Sequence, residues 1–167
     1  SNMIVIREAR GMDETSTMLH EYVHFLVRNH SEQHYPKWYD EGFAEYLGMS
    51  DVSHGNFKIG LAAEHRRSSL NYSHWIPMRR ILEPDDYADW TREMKAMFYG
   101  EAWALVHFLQ NRPDREVPFP QDMAKYLELI EQGQGSVEAF ETAFAISEDK
   151  LNRQVKRYLE AGRFRYF

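Results

Sequence analysis

Asp13-Glu14-Thr15-Ser16-Thr17-Met18-Leu19-His20-Glu21-Tyr22-Val23-His24-Phe25-Leu26 is the stretch on which the reading of this chain turns. Acidic residues at 13 and 14 suit the positive end of a helix dipole. Leu19, Tyr22, Val23 and Leu26 recur at three- and four-residue intervals as the apolar side of one long helix. Within it, His20-Glu21-Tyr22-Val23-His24 has the form His-Glu-x-x-His. Four residues along a helix are about 40° of rotation, so both imidazoles project from one face about 6 Å apart. That spacing lets two nitrogens reach one metal ion. Glu21 lies one step round, placed to meet a water on that ion without being a ligand itself.

Two ligands do not make a centre, and two candidates for the third lie downstream. His30 stands where the metzincin pattern His-Glu-x-x-His-x-x-Gly-x-x-His has its third His, but Val27 occupies the Gly position. A β-branched residue is poorly suited to the positive φ that the turn requires. In a continuing helix His30 lies about 120° round from His24, so His30 and His34 are read as facing solvent. The other candidate is Glu41, in Trp38-Tyr39-Asp40-Glu41-Gly42-Phe43-Ala44-Glu45-Tyr46. Pro36 suits the first turn of a second helix reaching about Leu47, with Gly48 as its stop, and Ser31–Tyr35 supplies the turn between the helices.

Here the chain resembles the gluzincins, zinc peptidases whose second helix supplies a Glu as third ligand. Asp40-Glu41-Gly42-Phe43-Ala44 is similar to the Asn-Glu-Gly-Phe-Ala segment of the zinc aminopeptidases, with Asp40 for Asn as its one change. The resemblance implies His20, His24 and Glu41 as ligands of one Zn2+ per chain, with Glu21 as general base. It implies that Glu45, one turn after Glu41, accepts the second N–H of a ligand His and fixes its tautomer. Gly42 is expected to let the ligand helix approach the first closely. Phe98-Tyr99-Gly100-Glu101-Ala102-Trp103 resembles the aminopeptidase helix that begins Tyr-Glu-Lys-Gly-Ala. What carries over is Tyr99 alone, as donor to the oxyanion of a tetrahedral intermediate. These matches and the first helix cover roughly half the chain, and the overall resemblance is to small bacterial peptidase-MA-like domains. The Gly-x-Met-Glu-Asn motif that captures a free amino terminus is missing.

The rest of the chain reads outward from these helices. Met3–Ala9 is a short β-branched run whose expected strand partner lies in 52–63, where His54-Gly55-Asn56 makes a turn. A short helix or turn at 74–83 ends at Pro84-Asp85-Asp86, and Thr91–Asn111 is a strong helix. Helices at 121–132, 136–145 and 148–161 follow, the last capped by Ser147. The fold class is therefore α+β and predominantly α, and the resemblance implies a zincin-like (gluzincin) domain with a reduced N-terminal β-sheet and a helical C-terminal half. One domain over 3–167 is expected, divided into 3–70 and 71–167, with Ser1-Asn2 read as a tag remnant.

Composition bounds the function. Of 167 residues 43% are apolar, with ten Phe, ten Tyr and four Trp, so a core can form and disorder is excluded as the main state. The charge of −6 argues against a nucleic-acid partner, and no apolar run approaches the roughly 18 residues of a membrane span. The absence of cysteine removes thiol nucleophiles and Cys–zinc sites. No signal peptide is evident, which leaves localisation open, a secreted or periplasmic origin included. The reading is a peptidase that cleaves peptide or protein substrates with metal-activated water. A catalytically inactive zinc-binding scaffold or interaction domain is the alternative. So is a fragment whose cleft is completed by a preceding domain or a second chain. His, His and Glu also accept cobalt or manganese.

Overall fold

The computed structural model describes residues 14–30, 34–53, 56–63, 70, 75–112, 116–162 and 164–165. Helices α1 (Glu14–His30) and α2 (Lys37–Gly48) lead into a hairpin of β1 (Asp51–Ser53) and β2 (Asn56–Lys58). Five further helices follow: α3 (Met78–Leu82), α4 (Arg92–Gln110), α5 (Phe119–Glu131), α6 (Ser136–Phe144) and α7 (Glu148–Ala161). The chain is predominantly helical, as expected. The strands pair antiparallel with Val52 opposite Phe57, and among the described residues this hairpin is the whole sheet. The expected Met3–Ala9 strand, the Ser31–Gln33 part of the first turn and His54-Gly55 lie outside the described residues.

Helix α4 occupies the centre. Every residue from Glu101 to Leu109 is buried, so the helix is enclosed on all sides rather than on one stripe. Its start is local chemistry: Thr91 caps it by accepting the Met94 N–H at 3.2 Å, as Ser147 caps α7 through Lys150 N–H. Trp38 of α2 is fully buried against Tyr126 of α5 and Phe140 of α6, whose ring stacks on Phe144. Buried His107 of α4 ties two segments together, one nitrogen donating to the Gly60 carbonyl at 2.8 Å, the other bonded to the Tyr158 hydroxyl of α7 at 2.7 Å.

Helix α2 lies between α1 and α4, and its glycines decide how closely. A Cβ on Gly42 would press on the Ala102 carbonyl of α4 and come within 2.9 Å of Val106 Cγ2. A Cβ on Gly48 would meet the Ser16 carbonyl at 3.3 Å and His20 Cβ at 3.4 Å on α1. The close approach to the first helix is thus made by Gly48, while Gly42 serves the approach to α4. Nor is Gly48 a stop beyond the helix, since it is the last helical residue and Met49 is the cap.

The packed side of α1 also differs from expectation. Val23 is buried, whereas Met18, Tyr22 and Leu26 are 46%, 45% and 37% exposed. The helix turns Ser16, His20 and His24 toward α2 and so presents its polar side to its neighbour.

Glu101 illustrates what a crowded central helix does to a charge. Its carboxyl is buried, with one oxygen accepting the Ile76 N–H at 3.1 Å and Oε2 without a hydrogen-bond partner. Burial raises its pKa to about 8, against the smaller opposing effects of the Ile76 N–H and the Lys156 charge. The unfolded chain ionises this group near 4.5 and the folded chain only near 8, so the unfolded state holds fewer protons between. Stability from this group is expected to fall as pH rises through that window and to be level below and above it. Glu101→Gln, which mimics the neutral acid, should flatten the slope in urea titrations at pH 5 to 8. An unchanged slope would show that Glu101 is not the group responsible.

Candidate metal centre

The three expected ligands converge. His20 and His24 project from successive turns of α1, and Glu41 comes from the start of α2, which Gly48 brings against the first helix. His20 Nε2 is 3.1 Å from His24 Nε2, and Glu41 Oε2 is 3.6 Å from the first and 3.3 Å from the second. Among the described residues, these three form the group whose donor atoms all lie within 4.8 Å of one another.

Their spacing tests whether a metal ion fits. Donors on a tetrahedral zinc, with bonds of about 2.0–2.1 Å, stand about 3.3 Å apart. The three edges straddle that value. Two imidazole nitrogens facing each other at 3.1 Å present a lone pair to a lone pair unless a proton or a cation lies between them. The donor set of two imidazoles and one carboxylate is that of open zinc sites. The residues fit the ion.

The two imidazoles differ in how they are held from behind. His24 Nδ1 donates to Asp40 Oδ1 at 2.9 Å, which leaves Nε2 with its lone pair toward the cluster. Asp40 also receives Arg28 at 3.4 Å. This orienting carboxylate was not assigned from the sequence. Its signal in the sequence is an acid directly before Glu41, one residue from a candidate donor. Glu45, fully buried, lies 3.5 Å from His20 Nδ1. The alignment does not make a hydrogen bond, and that nitrogen is buried without one.

The electrostatics favour a cation. Burial lowers the His24 pKa, but hydrogen bonds and charges of Asp40 and Glu41 outweigh it and raise the value to about 9. Burial acts to raise Glu41, yet His20, His24 and Lys37 hold it well below the usual carboxylate range. Asp40 is likewise held low, chiefly by His24 against its own burial. A pocket that keeps two carboxylates ionised around a proton is one where a divalent ion can displace that proton.

The remaining expected residues are placed as follows. Glu21 is exposed, next to His20 on the solvent side of α1. Tyr99 is half-buried on α4, and its hydroxyl accepts that of Tyr87 at 3.3 Å. The Tyr87 ring in turn lies under the Lys37 ammonium at the start of α2, 4.3 Å from the ring centre. Tyr99 is thus linked through Tyr87 to Lys37 at the start of α2. His34 is exposed, and the side chain of His30 lies outside the described residues.

No helix among the described residues is long and apolar enough to cross a membrane. Searches of curated proteins and of solved structures gave no match. A family model described as "Protein of unknown function (DUF1570)" matches residues 14–120. That span holds α1, α2, the hairpin and α4, and with them every residue of the cluster. The chain belongs to the DUF1570 family.

Proposed function

We propose that this protein is a zinc-dependent peptidase of gluzincin type, in which His20, His24 and Glu41 hold the ion. The observation that carries the reading is the donor triangle of 3.1, 3.3 and 3.6 Å, with exposed Glu21 beside it. Zinc, when bound, acidifies water and polarises a carbonyl oxygen. The chain's residues do the rest. Asp40 keeps His24 in the tautomer that offers Nε2. Glu45, 3.5 Å from His20 Nδ1, is the acid that would orient His20 once the two close to hydrogen-bond geometry. Glu21 takes the proton of the attacking water and returns it to the leaving amine. Tyr99 donates its hydroxyl to the oxygen that becomes negative. An inactive zinc-holding scaffold would have no use for Glu21, so the retained carboxylate favours the enzyme.

Metal analysis of the purified chain comes first, followed by hydrolysis of a peptide library with and without a chelator. One equivalent of zinc and chelator-sensitive cleavage are expected. Stoichiometric zinc with no cleavage would leave the scaffold reading, and no bound metal would end both. Tyr99→Phe keeps the ring and removes one donor. It should lower the catalytic rate about a hundredfold or more, with zinc content unchanged and the unfolding midpoint only slightly lowered by loss of the long 3.3 Å bond from Tyr87. A rate within twofold of the parent would take Tyr99 out of the chemistry.

A further inference from the structure

Lys37 stands one turn before Glu41 in the first turn of α2, and its ammonium lies 3.3 Å from Glu41 Oε1. The two oxygens of the ligand carboxylate therefore have different company. Oε2 faces the imidazole nitrogens of His24 and His20, and Oε1 faces the ammonium. The lysine is itself held, since Nζ sits over the Tyr87 ring at 4.3 Å. Helix stability gives no reason for this arrangement. A cation in the first turn opposes the helix dipole, and Lys four residues before Glu is the weaker order for a helical ion pair. The pair's consequence lies at the carboxylate.

We propose that Lys37 is a positioning residue of the metal centre, one that confines Glu41 to ligation through Oε2 alone. The ammonium occupies Oε1, so the carboxylate cannot close on the ion with both oxygens, and coordination positions stay open for water and substrate. A carboxylate shared with a cation also donates less charge to the metal, which keeps the ion a stronger Lewis acid and binds it less tightly. This inference rests on the proposed metal centre but does not need hydrolysis to be observed.

The test is titration of the metal-free protein with Co2+ alone, reading visible absorption and affinity against a chelating indicator. Wild-type protein should give the intense bands of a four-coordinate ion. Lys37→Met should give the weaker bands of five-coordination as Oε1 joins. It should also bind cobalt roughly tenfold more tightly, because a like charge near the ion has gone. Lys37→Arg, which keeps charge and donor, should restore the wild-type bands. A merely structural lysine would behave otherwise: its loss would weaken binding and leave the bands as they were, and that result overturns the proposal. The side chain is 36% exposed, and the unfolding midpoint of each variant checks that the fold is intact. If wild-type protein takes up no cobalt, this inference falls with the metal centre. If it binds cobalt but cleaves nothing, the peptidase reading fails while the bands still decide the role of Lys37.

Discussion

Glu21→Gln is expected to lower peptide hydrolysis by orders of magnitude while leaving the zinc content of the protein unchanged. A positioned general base contributes about a hundred- to ten-thousandfold to a rate, so the residual activity should fall within that range below the parent. The amide keeps the size and polarity of the side chain and can still hydrogen-bond water. It cannot take a proton. Glu21 is exposed and absent from the cluster of donor atoms, so its replacement leaves His20, His24 and Glu41 as they are. Metal content by elemental analysis and turnover of a quenched peptide, measured on the same sample, separate binding from chemistry. Full turnover in the variant would remove Glu21 from the mechanism, and loss of zinc would make it part of the binding site instead.

The second large effect is on stability and needs no assumption about function. Gly42→Ala places a methyl against the backbone carbonyl of Ala102, 2.7 Å from its carbon, and 2.9 Å from Val106 Cγ2. Backbone atoms in the middle of a buried helix cannot move aside as a surface side chain can, so α2 must shift away from α4. Overpacking of this kind costs about 3 kcal/mol or more, well above the gain of about 1 kcal/mol that Ala brings over Gly in a helix. The shift would carry Glu41 with it, and the urea midpoint should fall. Gly48→Ala is the internal comparison. Its Cβ would stand 3.3–3.4 Å from Ser16 and His20, a crowding of a few tenths of an ångström that the same helix-propensity gain offsets. A change within about 1 kcal/mol is expected there. Equal effects in the two variants would show that the α2–α4 spacing is not what Gly42 secures.

Residues whose roles depend on near neighbours in the chain were legible from sequence. The expected helix at Thr91–Asn111 is found at Arg92–Gln110, and that at 148–161 at Glu148–Ala161. The expected cap Ser147 accepts the Lys150 N–H three residues on, within reach of local pattern reading, and Thr91, expected as the first helical residue, is the cap of its helix instead. The same holds for His20 and His24, whose common face follows from helical pitch. The third donor could be narrowed to Glu41 or His30. Val27 and the helical rotation argue against His30, and the resemblance to gluzincins supplies the expectation that a second helix returns Glu41 to the first.

Sequence by itself determined that two imidazoles and a carboxylate occupy one turn of helix, that a second helix bearing Glu41 follows, and that the C-terminal half is helical. Tertiary structure alone decided which side of each helix meets which neighbour. It put Tyr22 and Leu26 outward where an apolar stripe suggested burial, and aimed Gly42 at α4 rather than α1. It also brought Asp40 to His24 and Lys37 to Oε1 of Glu41. The reason is geometric. Periodicity places side chains around one helix axis to within a few tens of degrees, whereas an ångström-scale contact depends on the rotation and spacing of two axes. Those are set by the summed packing of α1, α2 and α4, to which residues far apart in the chain contribute at once.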